Sequence, residues 1–221
     1  MLQASRLAHI FSKRLEDMEM TDDQAFDEYP ELRHWYDKLW VATQLGYLAG
    51  IEQVPCAGHY IVRPIMNLQG CGIGAKIKFY LNNETIPDNC FWSQIFHGDH
   101  VTIDYTRVNG VWQQGHTFQG FNSPDDLIHF SRWTRVDYKF MLPGIFKEIT
   151  APHINIEMIG GKIIEVHLRH NPDPVMYDEF IPIWSNDQAC TAGYDRISDP
   201  EDHIDRLGFF VKPYTMVDTL P

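Results

Sequence analysis

Residues 153–169 read His-Ile-Asn-Ile-Glu-Met-Ile-Gly-Gly-Lys-Ile-Ile-Glu-Val-His-Leu-Arg, and the alternation on either side of the two glycines restricts how this chain can fold. In an extended strand, successive side chains point to opposite faces. Ile154, Ile156 and Met158 therefore share one face, with Asn155 and Glu157 on the other. In the second arm Ile164, Val166 and Leu168 oppose Glu165, His167 and Arg169. A tight hairpin has to put both apolar rows on one face, because a slip of one residue reverses every side chain. A two-residue Gly160-Gly161 loop would set Glu165 opposite Ile156. A three-residue loop, Gly160-Gly161-Lys162, pairs Ile159 with Ile163, and so sets Glu157 opposite Glu165 and Asn155 opposite His167.

Two carboxylates directly opposite on a sheet repel each other, at a cost of up to about 1 kcal/mol. A divalent cation between them turns the repulsion into binding. Hard oxygen ligands suit Mg²⁺, with substrate phosphates completing its shell, and Mn²⁺ is the alternative. Arg169 lies two residues along the same face, within range of phosphate oxygens. The other reading of the hairpin is a solvated polar face. Phosphate-binding parts elsewhere would decide between them. Gly70, Gly72 and Gly74 follow one strand pattern and precede another, so they do not open a helix as a dinucleotide fingerprint must. Such a loop can instead close over phosphates and offer backbone N–H groups, or simply be a turn. Arg63 ends the strand that leads into it.

The remaining pattern is α+β rather than alternating strand and helix. Residues 1–28 read as an amphipathic helix running into an acidic loop, and Pro30 starts a helix whose stripe Leu32, Trp35, Leu39, Ala42, Gly46 and Ala49 ends at Gly50. Strands are expected at 59–66, at 76–81 and in two pieces between Phe91 and Val108, broken near Gly98. Asn109-Gly110 signals a two-residue hairpin. Helices are expected from Ser123-Pro124-Asp125-Asp126 to about Thr134, and from Asp199 to Gly208.

The 221 residues carry 18 Lys or Arg against 30 Asp or Glu, a formal net charge of −12. That balance disfavours a nucleic-acid partner, which needs clustered positive charge. No stretch reaches the roughly 18–20 uninterrupted apolar residues of a membrane span, and no membrane partner is expected. The N-terminus lacks the pattern of a signal peptide, and the four cysteines lack C-x-x-C spacing, so a cytoplasmic, thiol-reduced protein is expected. Arg132, Trp133, Arg135 and Lys139 read either as an anion site or as partners of the acidic surface, and Asp173 as a turn residue or a substrate neighbour.

The order of these parts resembles the ATP-grasp superfamily. Tyr36-Asp37-Lys38-Leu39 is similar to the family's helix whose lysine reaches ATP phosphates, and Tyr60-Ile-Val-Arg63-Pro64 to its strand ending in Lys-Pro. Gly70 to Gly74 stands at the family's glycine loop. Phe91-Trp-Ser-Gln-Ile-Phe-His-Gly98-Asp-His resembles the hinge strand followed by a Gly-x-Glu turn, and Glu157 with Glu165-Val-His-Leu-Arg169 the acidic metal ligands and the E-x-N-x-R segment. The resemblance implies two α+β subdomains whose antiparallel sheets clamp a nucleotide. It implies ATP contacts at Lys38, Arg63, Gly70, Gly72, Gly74, Gln94, Ile95, Phe96 and His100. The last stands where the family has its ribose-binding glutamate.

Metal ligands are implied at Glu157, Glu165, Asn155 and His167, with His167 in place of the family's Asn, and catalytic cations at Arg63 and Arg169. The expected division is an N-terminal helical segment (1–35), an ATP-grasp-like core (36–170) with a smaller glycine-loop subdomain at about 55–95, and a C-terminal extension (171–221) packed on the core. About 35 residues precede Lys38, so the family's preceding domain is expected to be replaced by residues 171–221 or by a second subunit of a homo-oligomer. The implied activity joins a small-molecule carboxylate to an amine through an acyl phosphate, using ATP and Mg²⁺. A small-molecule kinase and a non-catalytic nucleotide-binding or assembly protein are the alternatives.

Overall fold

The computed structural model of the chain describes residues 20–68, 70, 72–122, 126–199 and 205–212. The helix expected within residues 1–19 and the N-cap expected at Ser123-Pro124-Asp125 lie outside them. Helix α1 (Asp22–Glu28) forms where an acidic loop is expected. The Thr21 hydroxyl accepts from the Gln24 N–H (3.3 Å), and the Gln24 side chain accepts from the Thr21 N–H (2.8 Å). This reciprocal cap, with Asp22 and Asp23 in the first turn, suits a helix start.

The stripe expected to be one helix divides into a 3-10 helix (Pro30–Tyr36) and α2 (Lys38–Gln44). Asp37 is extended, and its carboxylate accepts the Trp40 N–H (2.8 Å), so it breaks one helix and caps the next. Gly46 then adopts φ +72°, and the bonds from Gly46 N to Thr43 O and from Tyr47 N to Ala42 O close the end of α2. Ala49–Gly50 is strand β1, not helix.

A small antiparallel sheet contains β1, β2 (Gly58–Pro64), β3 (Lys76–Tyr80) and β4 (Cys90–Ser93), in the order β1-β4-β2-β3. The large sheet is built from β5 (His100–Val108), β6 (Val111–Phe121), β7 (Arg132–Arg135), β8 (His153–Ile159) and β9 (Lys162–His167). The C-terminal part adds β10 (Glu179–Pro182), β11 (Asp195–Ile197) and β12 (Phe209–Val211). Its order is β11-β12-β10-β7-β6-β5-β8-β9, with every pair antiparallel. The α+β class is as expected, and the Asn109-Gly110 turn has both residues at positive φ.

The helix expected through Thr134 is not formed in its described part. Asp126 does accept the N–H groups of Ile128 and His129 (2.9 Å each), as a cap would, but the chain then turns into β7. Phe130 and Trp133 are buried against Phe118 and Phe180, and that burial outweighs the local helix signal. Of the helix expected at 199–208, residues 199 and 205–208 are irregular and residues 200–204 lie outside the described chain.

In the β8–β9 hairpin the turn has two residues, not three. Gly160 and Gly161, both at positive φ, set Ile159 opposite Lys162 and Met158 opposite Ile163. A β-bulge at Ile164 then restores Glu157 opposite Glu165 and Asn155 opposite His167. The core row of β9 is therefore Ile163, Val166 and Leu168, which pack with Ile103, Ile154, Ile156, Met158, Trp35 and Val41. No described helix is long and apolar enough to cross a membrane.

Gly160 lies against the segment linking the two sheets. A Cβ there would sit 2.0 Å from the His97 carbonyl oxygen, and φ is +55°. Gly160→Ala is therefore expected to destabilise the fold by at least about 1 kcal/mol, read as a lower midpoint in urea. A wild-type midpoint would show that this close approach is absent.

Candidate functional site

The polar rows of β5, β8 and β9 lie on one surface of the large sheet. Thr102 stands opposite Glu157, Asp104 opposite Asn155, and Glu157 opposite Glu165. The two glutamates take separate partners. Lys38, at the start of α2, places Nζ 2.8 Å from Glu165 Oε1, and His100 places Nε2 3.1 Å from Glu157 Oε2. Burial would raise the Glu157 carboxyl, but the His100 hydrogen bond and the charges of His100, His167 and Lys38 outweigh it and hold the group below the usual carboxylate range.

His167 and Arg169 converge on a residue that the hairpin alone does not reveal. Asp22 Oδ2 lies 2.9 Å from His167 Nδ1 and accepts from Arg169 Nη2 (2.5 Å). Burial opposes ionisation of Asp22, yet these two cations hold its carboxyl far below the ordinary range. Burial would likewise lower His167, but the charge and hydrogen bond of Asp22, with Glu165, raise it. His167 Nε2 is 3.8 Å from Glu165 Oε1. The reciprocal cap of Thr21 and Gln24, readable in the sequence, is the signal that would have put Asp22 on a helix.

Asn155 donates to Thr102 Oγ1 (2.8 Å) and Asp104 Oδ1 (3.0 Å), and Asp104 Oδ1 also accepts the Asn171 N–H (2.8 Å). Burial pushes the Asp104 carboxyl up to about 7, against the pull of those hydrogen bonds and of Arg169.

Between the sheets lies a cavity of about 660 Å³. The small sheet contributes Ile61, Arg63 and Ile77, the connecting segment Ile95 and Phe96, and the large sheet Ile159, Ile164, Glu157 and Glu165. Lys38, Gly72 and His100 also line it. Gly72, at φ +63°, approaches the opposite wall so closely that a Cβ would lie 2.9 Å from Leu127 O. Gly70 and Gly74 are off the cavity wall, and Gln94 pairs its backbone N–H with Leu48 O (3.0 Å). Asn155, His167 and Arg169 are buried and also off the wall, within the polar network just described.

Arg63 is only 8% exposed, with its guanidinium 5.1 Å over the Phe91 ring. Its Nε has no hydrogen-bond partner, and no carboxylate of the described residues pairs with the side chain. Burial lowers its pKa, and the fields of Glu165 and Glu157 oppose that. The Arg132, Arg135 and Lys139 cluster is a set of ion pairs with Glu179 (4.0 Å), Asp178 (2.8 Å) and Asp137 (3.2 Å), and of its members only Trp133 reaches the cavity.

No family model matches the sequence, and no curated protein matches it. Solved structures do resemble the fold. The N5-carboxyaminoimidazole synthetase of Staphylococcus aureus complexed with ADP has a TM-score of 0.55 at 10% identity, covering 85% of this chain and 69% of that one. The N5-carboxyaminoimidazole synthase of Aspergillus clavatus, in complex with ADP and an aminoimidazole ribonucleotide, has a TM-score of 0.51 at 6% identity, covering 84% and 70%. An ATP-grasp superfamily protein from Archaeoglobus fulgidus has a TM-score of 0.49 at 9% identity, covering 82% and 65%. The chain spans about two thirds of the length of these structures. It has an ATP-grasp-like α+β fold, as the order of its motifs implies.

Asp104 sets a pH test of the buried network. Its carboxyl binds a proton more tightly in the folded chain than at the unfolded value near 3.9, so stability should fall as pH rises from about 4 to 7. Asp104→Asn keeps an acceptor for Asn155 and Asn171 but removes the titration. Urea midpoints of that variant should lose this downward slope, gaining roughly 1–4 kcal/mol relative to wild type by pH 8. Parallel pH profiles for the two proteins would contradict it.

Proposed function

We propose that the chain binds ATP with Mg²⁺ between its two sheets and uses it to join a carboxylate to an amine through an acyl phosphate. Arg63 carries this reading. A buried guanidinium without a carboxylate partner is costly unless an anion joins it. The anion has to fit a cavity that also contains Glu157 and Glu165, and a metal–phosphate unit satisfies both signs of charge. The apolar side chains Ile61, Ile77, Ile159 and Ile164 offer walls for a base, and Gly72 backbone can approach phosphates. The structural relatives solved with ADP support the nucleotide reading.

The donor set suits Mg²⁺, which takes one or two carboxylates and fills its shell with phosphate oxygens. Among the described residues, no three acidic, His or Cys side chains converge to hold a metal by themselves. Glu157 and Glu165 would hold the ion, and when bound it would neutralise phosphate charge. Mn²⁺ would serve in the same place, with His167 the nearest nitrogen donor. Arg63 and Lys38 would stabilise the charge that develops as a phosphoryl group passes to the substrate carboxylate, after which an amine displaces phosphate from the acyl carbon.

One observation favours nucleotide binding without turnover. Arg169, the cation expected to serve catalysis, is buried, bonded to Asp22 and off the cavity wall. Two variants distinguish the readings. Arg63→Met is expected to weaken binding of a fluorescent ATP analogue about 10- to 100-fold. Glu165→Gln is expected to abolish ADP release when the wild type is active with Mg-ATP, pooled amino acids and small acids, with an unchanged circular dichroism spectrum. Wild-type affinity in the first variant would sink the nucleotide site. Tight nucleotide binding with no ADP release by the wild type, across the panel, would leave the non-catalytic reading. Phosphorylated products without amide products would indicate a kinase.

A further inference from the structure

Lys38 and Arg63 both line the cavity beside the glutamate pair, and they differ in what they hold. Arg63 pairs with no carboxylate of the described residues, so a phosphate can join it directly. Lys38 is already engaged. Its Nζ lies 2.8 Å from Glu165 Oε1, and the two side chains are 6% and 9% exposed. The Lys38 backbone N–H donates to Ile65 O (2.8 Å), which fixes the start of α2 at the end of β2. The side chain above it is a flexible four-carbon stem, so the ammonium can change partner while the backbone stays in place.

The Lys38 charge acts on Glu157 across the hairpin as well as on Glu165. Glu157 Oε2 takes the His100 ring (3.1 Å), and Glu165 Oε1 also has His167 Nε2 at 3.8 Å. Glu157 Oε1 and Glu165 Oε2 pair with no described residue. A divalent cation shared by these carboxylates would meet the Lys38 ammonium at close range in a buried place, where like charges repel most strongly. Drawing Lys38 away without supplying a cation would leave Glu165 buried and unpaired, which is strongly unfavourable.

We propose that Lys38 holds the metal's place at Glu165 while the cavity is empty, and passes to the phosphates when a metal–nucleotide unit enters. Each charge then keeps a partner. Glu165 exchanges an ammonium for the metal, and Lys38 exchanges a carboxylate for phosphate. Either ligand alone breaks the buried pair without replacing both halves. Nucleotide without metal gains Arg63 but not Lys38, and metal without nucleotide is opposed by Lys38. The inference rests on the nucleotide and metal reading above, and adds a role for Lys38 that precedes any chemistry.

Binding without turnover tests the exchange. The full chain in EDTA is titrated with ADP by calorimetry, as wild type, Glu165→Gln and Glu157→Gln. Glu165→Gln releases Lys38 and should bind metal-free ADP about ten-fold more tightly than wild type, or better. Glu157→Gln removes the same charge from the facing strand but leaves the Lys38 pair intact, and should change that affinity less than about three-fold. In a second arm, free Mn²⁺ is followed by electron paramagnetic resonance without nucleotide. Lys38→Met should bind Mn²⁺ at least about five-fold more tightly than wild type. Equal gains in the two glutamine variants would show general charge repulsion and overturn the exchange. Unchanged or weaker ADP binding by Glu165→Gln would overturn it too, as would wild-type Mn²⁺ affinity in a folded Lys38→Met. The comparison of the glutamine variants decides even where Lys38→Met does not fold. ADP binding with the wrong variant pattern removes only the exchange, whereas no ADP binding by the wild type, with or without Mg²⁺, would overturn the nucleotide reading as well.

Discussion

Glu157 and Glu165 face each other across β8 and β9, and the surroundings of that pair are organised by the need to balance it. Neither carboxylate can move away, because the same register puts Ile156, Met158, Ile163 and Val166 in the core. The balancing groups come from three other elements: the Lys38 ammonium from α2, the His100 hydrogen bond from β5, and the field of Arg63 from β2. A buried pair such as Lys38–Glu165 is costly to break by removing one partner, at roughly 3–5 kcal/mol, so it also ties α2 to the edge of the large sheet. Arg63 differs from the other two groups. It sits on the cavity wall with no carboxylate of its own among the described residues, and the proposed anion with its metal would close the charge balance there.

Beyond this pair, the polar face departs from what the family resemblance implies. His167 stands where the resemblance implies an amide, and Asp22 orients it through Nδ1 while also holding Arg169. A carboxylate behind an imidazole fixes which ring nitrogen faces outward. Here the outward nitrogen faces Glu165. The C-terminal part, expected to pack on the core, extends the large sheet through β10 and β12, and brings Asp173 and Arg206 to the cavity.

How much of this was legible in the sequence depends on the range of the interactions involved. The pairing of Glu157 with Glu165 follows from alternation alone, since only one register buries both apolar rows. The route to it does not, because Ile163 and Ile164 are chemically identical and the sequence cannot show which one bulges. Strands β2 to β5 were readable from their local pattern. The helix from Pro30 to Gly50 was misread because a 3.6-residue stripe does not register that Asp37 stops one helix and caps the next. The segment after Asp126 was misread because its cap is real, and only the burial of Phe130 and Trp133 makes it a strand. Asp22 reaches the polar face from far along the chain, and no spacing rule connects it to His167 and Arg169.

The central claim is that a nucleotide occupies the space between the two sheets with its phosphates at Arg63 and the glutamate pair. Hydrogen–deuterium exchange with and without Mg-ADP tests it most directly. The account predicts slowed exchange in residues 61–64, 72–77, 94–98 and 156–165, which line or adjoin the cavity from both sheets, and little change in 209–211 at the far side of the large sheet. Saturating Mg-ADP with no protection in those segments, or protection confined to the C-terminal strands, would contradict it.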